Sequence, residues 1–127
     1  MKVREKYTCP LELVHDIIKG KWKTIIIFQL KKGNCSFSEL QHSIVGISQK
    51  MLLEQLRELK EFGLVNKNSY PGFPLKVEYY LTERGRKMLS AILIMQDIGI
   101  DYMVEHEMTE FLDKKGICYT AYARKSK

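Results

Sequence analysis

The chain has 127 residues, 45% of them hydrophobic and 28% charged, enough for one domain around a single core and too few for two. No run approaches the roughly 18 apolar residues that span a bilayer, and the opening MKVREKYTCPLELVHD lacks the apolar stretch of an export signal. Three scattered cysteines, Cys9, Cys35 and Cys118, make neither a disulfide framework nor a zinc pair, so a cytoplasmic protein with reduced thiols and a net charge of +6 is expected.

Pro10 fits the first turn of a helix with Thr8 or Cys9 near its cap, and Leu11, Val14, Ile17 and Ile18 recur at helical spacing before Gly20. WKTIIIFQLKK predicts a second helix: its position between two glycines and its closing lysines outweigh the β-branched run Ile25-Ile26-Ile27. SFSELQHSI predicts a short third helix, with Ser36 or Ser38 as its cap and Gly46 as its breaker. Ser48 then caps SQKMLLEQLRELKEFG. Leu52, Leu56 and Leu59 form one stripe of that helix, Lys50, Glu54, Arg57, Glu58 and Glu61 fall opposite, and Gly63 stops it.

The period next switches to two. LVNKNSY and KVEYYLT predict strands, and the PGFP between them supplies the turn of a hairpin. Thr82 caps a long helix expected to run to about Glu110, weakened but not stopped by Gly85 and Gly99. The fold class expected is mainly α with a β-hairpin wing, a winged helix-turn-helix in one domain. Residues 8–82 form its core, 83–112 a C-terminal dimerisation helix and 113–127 a flexible tail.

In a helix-turn-helix the second helix enters the major groove with its N-terminal residues against base edges. Here that start is Ser48, Gln49 and Lys50; glutamine pairs with adenine, lysine donates to guanine or phosphate, and Arg57 lies two turns on. Ser38 joins the candidates from the preceding helix, and Lys67 and Lys76 flank the wing. Charge placement agrees with such a partner. Residues 1–88 hold 16 Lys or Arg against 9 acids, whereas residues 89–113 hold six acids and no base. The long helix is apolar all round its middle, including Leu89, Ile92, Leu93, Ile100 and Met103, so its second face is expected to meet another copy of the chain. His15, His42 and His106 lie too far apart for a metal site. With no nucleophile triad, carboxylate pair or phosphate-binding glycine loop, no enzyme, metal or cofactor is expected.

The runs CPLELVHDIIKGKWK, FSELQHSIVGISQKMLLEQLRELKEFGLV and KVEYYLTERG resemble the HxlR family of bacterial winged-helix regulators, collinearly over about residues 9–105. The resemblance implies a dimeric DNA-binding regulator whose N-terminal helix, with Leu11 and Val14, and long C-terminal helix form the dimer interface. It places the recognition-helix start at Ser48-Gln49-Lys50. Tyr70-Pro71-Gly72-Phe73-Pro74 departs from it, being less polar than a backbone-contacting loop should be. Relatives carry a cysteine before proline where Cys9 stands, and in several it senses oxidants, quinones or aldehydes. Lys2, Arg4, Lys6 and the helix start favour a thiolate at Cys9, while burial of a small residue at the interface is the other reading. Cys118 would be its disulfide partner across a dimer that swaps termini. The expectation is thus a homodimeric repressor on a palindromic duplex, open to a small-molecule or oxidant effector. The rival is a winged-helix protein–protein module, marked by an exposed apolar patch on helix 48–62.

Overall fold

The computed structural model describes residues 5–123. It divides after Leu89 into two compact units. Among the described residues, no helix is long and apolar enough to cross a membrane.

In the first unit, Pro10 opens α1 (Pro10–Ile18), which buries Asp16 and leaves Leu11 exposed. The isoleucine run forms α2 (Lys23–Gln29), which tightens into a 3-10 turn at Leu30–Lys32 and stops at Gly33, φ +118°. Lys23, Ile26, Ile27 and Leu30 follow the i, i+3, i+4, i+7 spacing of one helix face, and all four are buried. A two-residue strand absent from the sequence reading, β1 (Cys35–Ser36), leads into α3 (Phe37–Ser43). Ser36 rather than Ser38 is its cap: the Ser36 hydroxyl accepts from the Glu39 N–H, and the Glu39 carboxylate accepts from the Ser36 N–H at 2.8 Å. That double contact holds the Glu39 carboxyl below the usual carboxylate range.

Ser48 caps α4 (Gln49–Glu61) as expected, accepting from the Met51 N–H at 3.0 Å. Leu52, Leu56 and Leu59 are its buried stripe, and Gly63, at φ +75°, ends it. There the Gly63 N–H donates to Lys60 and the Leu64 N–H to Leu59, which satisfies carbonyls the helix leaves open. β2 (Val65–Tyr70) and β3 (Lys76–Leu81) form the hairpin, and β1 adds to the far side of β3, giving an antiparallel sheet of order β1-β3-β2. Cys35 faces Tyr79 across the sheet, and Val65 faces Leu81.

Thr82 is the hinge-pin of the next element. Its hydroxyl donates to the Gly63 carbonyl and accepts from the Gly85 N–H at 3.1 Å, and its own N–H donates to Leu64. α5 (Glu83–Glu105) therefore starts against the end of α4. Gly85 is read from sequence as a weak point, but it is a fitting surface: a Cβ there would stand 2.0 Å from the Leu64 carbonyl oxygen.

In the second unit, α5 stops at Glu105 instead of running to about Glu110. Glu107 adopts φ +57°, a left-handed conformation usual for glycine, and the Met108 N–H donates to Met103 at 2.7 Å, closing the helix as Gly63 closes α4. The break carries no glycine, so sequence offered no stop signal. α6 (Thr109–Lys114) and α7 (Thr120–Ala123) occupy part of the segment expected to be a flexible tail. They are anchored because Leu112 joins Ile100 and Val104 in a small core, with Met103, Ile117, Tyr119 and Tyr122 packed against it. Tyr119 donates to Asp113 at 2.8 Å and Tyr122 to Asp97, so two of the acids of segment 89–113 hold the second unit together.

Gly85→Ala is expected to destabilise the chain by roughly 1–3 kcal/mol, because the backbone it meets has no rotamer with which to retreat. Chemical denaturation read by circular dichroism checks this; a variant as stable as the parent would show that α5 does not approach Leu64 so closely.

Candidate nucleic-acid interface

The position of α4 is set by a buried ion pair. The Lys23 ammonium, 2% exposed as a residue, donates to Glu58 Oε1 at 2.6 Å and Gln55 Oε1 at 2.8 Å. Sequence reading placed Glu58 on the solvent side of α4; the structure corrects this, for Glu58 turns to α2 and is only partly exposed. The missed signal was the spacing of Lys23 with Ile26, Ile27 and Leu30, which puts the lysine on the buried face and demands a carboxylate opposite. Burial pushes the Glu58 carboxyl up, but hydrogen bonding and nearby positive charge, those of Lys23 foremost, together hold it below the usual range.

With that face inward, α4 turns the other outward. Ser48, Gln49, Lys50, Leu53 and Arg57 are exposed, and Lys50, Leu53 and Arg57 follow one another along successive turns. Leu53 is 46% exposed and was not singled out from sequence. It lines a shallow depression with Phe37, Gln49 and Lys50, so α3 and α4 meet the outside together there. Leu53 and Phe37 are the apolar part of this face, flanked by Gln49 and Lys50; the broad apolar patch of an interaction module is not what the helix presents.

The wing separates residues that sequence reading had grouped. In an antiparallel pair, directly opposed residues share a face. Lys76 faces Tyr70, with its ammonium 5.9 Å from the ring, whereas Lys67 faces Tyr79, so the two lysines project from opposite faces of the ribbon. Lys76 also lies 3.6 Å from Glu78 and shares a groove with Ser36, Phe37 and Ser38. Ser38 and Lys76 are therefore brought together, and Lys67 is not part of that cluster.

On α5, Ile92 and Ile100 are already buried in the chain, while Leu89 and Met103 are half-buried. The exposed apolar residues are Leu93, Ile94, Met95, Ile98 and Tyr102. Ile94, Met95, Ile98 and Tyr102 form a stripe at helical spacing that sequence could list but not sort from the buried one. On α1, Leu11 is exposed and Val14 half-buried. Cys9 and Cys118 are free and exposed; Cys35 is buried, and burial pushes its thiol up. Cys9 is the N-cap of α1, with no side-chain cap hydrogen bond. The Cys118 thiol is held below its usual range by hydrogen bonding to Thr120. Lys2 and Arg4, invoked beside Cys9, lie outside the described residues. No cluster of His, Cys, Asp or Glu suited to a metal ion occurs among the described residues.

A helix-turn-helix formed by α3 and α4, followed by a hairpin over a basic unit, defines a winged-helix DNA-binding protein. The comparisons agree. The model of the HxlR-like helix-turn-helix family matches residues 17–107. YdeP of Bacillus subtilis strain 168, described as an uncharacterized HTH-type transcriptional regulator, is 45% identical over 94 residues, 74% of this chain and 73% of its own. The solved structure of the redox regulator HypR in its oxidized form is 42% identical, covers 72% of this chain and 94% of that one, and superposes with a TM-score of 0.68. A MarR-family transcriptional regulator from Porphyromonas gingivalis W83 is 38% identical over 77% of this chain and 96% of its own, with a TM-score of 0.70. The chain belongs to the HxlR-like helix-turn-helix family of DNA-binding transcription regulators.

Because Glu58 titrates lower in the folded chain than in the unfolded one, the unfolded chain binds more protons in that range. The ion pair's contribution is thus complete above the unfolded value and fades as pH falls through the folded one. Glu58→Gln is expected to cost roughly 1–3 kcal/mol at neutral pH, a gap that closes in acid. Denaturation midpoints measured from pH 7 to pH 3 check it; a pH-independent gap contradicts the pairing.

Proposed function

We propose that two copies of the chain bind a palindromic operator as a repressor, each reading bases in the major groove with Gln49 and Lys50. The observation that carries this reading is the division of α4 into two faces. Leu52, Leu56 and Leu59 are buried, and Glu58 is engaged by Lys23, which leaves a basic and amide-bearing row facing out from a serine-capped helix start. Lysine and arginine contacts supply salt-dependent affinity, and the row's first turn supplies discrimination. Arg57, Ser38, Lys67 and Lys76 are assigned to phosphates. Pairing of copies is supported by the uncovered stripe of α5, where Ile98 is 64% exposed, and by Leu11 on α1. A two-fold pair would set its recognition helices one turn of duplex apart.

The same reading includes oxidant control through Cys9 and Cys118, supported by their exposure, by the lowered Cys118 thiol and by the likeness to the redox regulator HypR. Two thiols, one from each copy, lose two protons and two electrons to a peroxide, whose O–O bond breaks to give two waters, or an alcohol and a water, and a sulfur–sulfur bond links the copies.

Three experiments test these assignments. In mobility-shift titrations on DNA flanking the chain's own coding sequence, Lys50→Ala should weaken specific binding by about tenfold and blur discrimination. Lys67→Ala should weaken binding on all sequences and lower the salt slope by about one. Unchanged affinity in both variants contradicts the groove assignment. On non-reducing gels after mild peroxide, the parent should run as a linked dimer, while Cys9→Ser and Cys118→Ser should not. Ile98→Glu should sediment as a monomer. A linked dimer that persists without Cys118 overturns the cysteine pairing, and a monomeric parent overturns the dimer.

A further inference from the structure

The tip of the wing is apolar and uncovered. Phe73 is 107% exposed, the highest value of any large hydrophobic residue described, and Tyr70 and Leu75 beside it are also exposed. Burying a phenylalanine is strongly favourable, so holding one in water forgoes that stabilisation. A tip that only touched phosphates would carry hydrogen-bond donors instead. Pro71 and Pro74 flank the phenylalanine and restrict the backbone, which lowers the entropy lost when the tip is captured. On either side of the apolar tip the ribbon bears a cation. Lys76 projects from one face, and Lys67, with no ion-pair partner among the described residues, from the other.

An occupant must therefore offer apolar or stacking surface at the centre and negative charge on both sides. Duplex DNA does, through its base steps and its two phosphate backbones. A second copy would bring lysines against lysines if it offered its basic unit, and the apolar stripe of its acidic segment 89–113 is the face already assigned to pairing of copies.

We propose that Phe73 is a wedge: it enters the minor groove beside the bases read by α4 and partly unstacks one base step, while Lys67 and Lys76 hold the flanking phosphates. The inference rests on the DNA reading above and deepens it by naming a specificity determinant. Apolar side chains of this kind kink duplexes when they intrude between base pairs. Pyrimidine–purine steps unstack most easily, so the chain discriminates among flanking sequences to which it makes no hydrogen bond.

The test uses the full-length protein and two 30-base-pair duplexes of equal charge, one of alternating dA and dT and one a dA tract against dT, each end-labelled for energy transfer. The parent is expected to prefer the alternating duplex and to shorten its end-to-end distance. Phe73→Ala is expected to bind that duplex about tenfold more weakly and leave it straight, with its salt slope and melting temperature unchanged. Lys76→Ala should lower the salt slope by about one yet keep the bend. Phe73→Ala bending and binding both duplexes as the parent does overturns the wedge but leaves the DNA reading intact. Salt-independent binding, or none, by the parent itself overturns both. A Phe73→Ala protein that loses self-association in sedimentation without DNA overturns the wedge in favour of contact between copies.

Discussion

The ammonium of Lys23 has almost no access to water, and a buried cation is tolerated only when it is paired and hydrogen-bonded. Both of its partners, Gln55 and Glu58, sit on α4. The contact fixes α4 about its own axis more sharply than leucines can, because apolar packing accepts small rotations and a hydrogen-bonded ion pair does not. Rotation of α4 in turn decides which residues face away from the core. The outward row of Gln49, Lys50, Leu53 and Arg57 is thus a consequence of an interaction on the opposite side of the helix.

A second constraint acts at the far end of α4. Gly63, Thr82 and Gly85 bring the start of α5 against the end of α4 and the start of β2, through a hydroxyl shared between one carbonyl and one amide and through a glycine without which the backbones would collide. The hairpin leaves from this same junction. These three residues help to set where the hairpin leaves the end of α4, and the proposed reading places none of them against DNA.

Much of this was legible in the sequence, and what was not has identifiable reasons. The order of helices and strands follows from periodicity and turn residues, and Ser48 and Thr82 cap the helices assigned to them, each hydroxyl accepting from the backbone N–H three residues on. β1 was not legible, since a two-residue strand has no period. The end of α5 was not legible because Glu107 takes a conformation for which glycine is the usual signal. Glu58 was misplaced because a helical wheel treats a charge as an outward mark, whereas Lys23 supplies an inward partner that no wheel of α4 alone can contain. The candidate DNA contacts were individually visible; their grouping was not, because Lys67 and Lys76 fall on opposite faces only once strand register is known. The exposed stripe of α5 was hidden within a helix whose hydrophobic residues surround it.

In the proposed reading the outward row of α4 is the surface that meets the duplex. Backbone amide resonances of the full-length protein, followed while duplex DNA is added in moderate salt, test it most directly. The largest shifts should fall at residues 48–57, with a second group in the hairpin, and should shrink as salt is raised. Shifts centred on the acidic stretch 89–113, with residues 48–57 unmoved, would contradict the account.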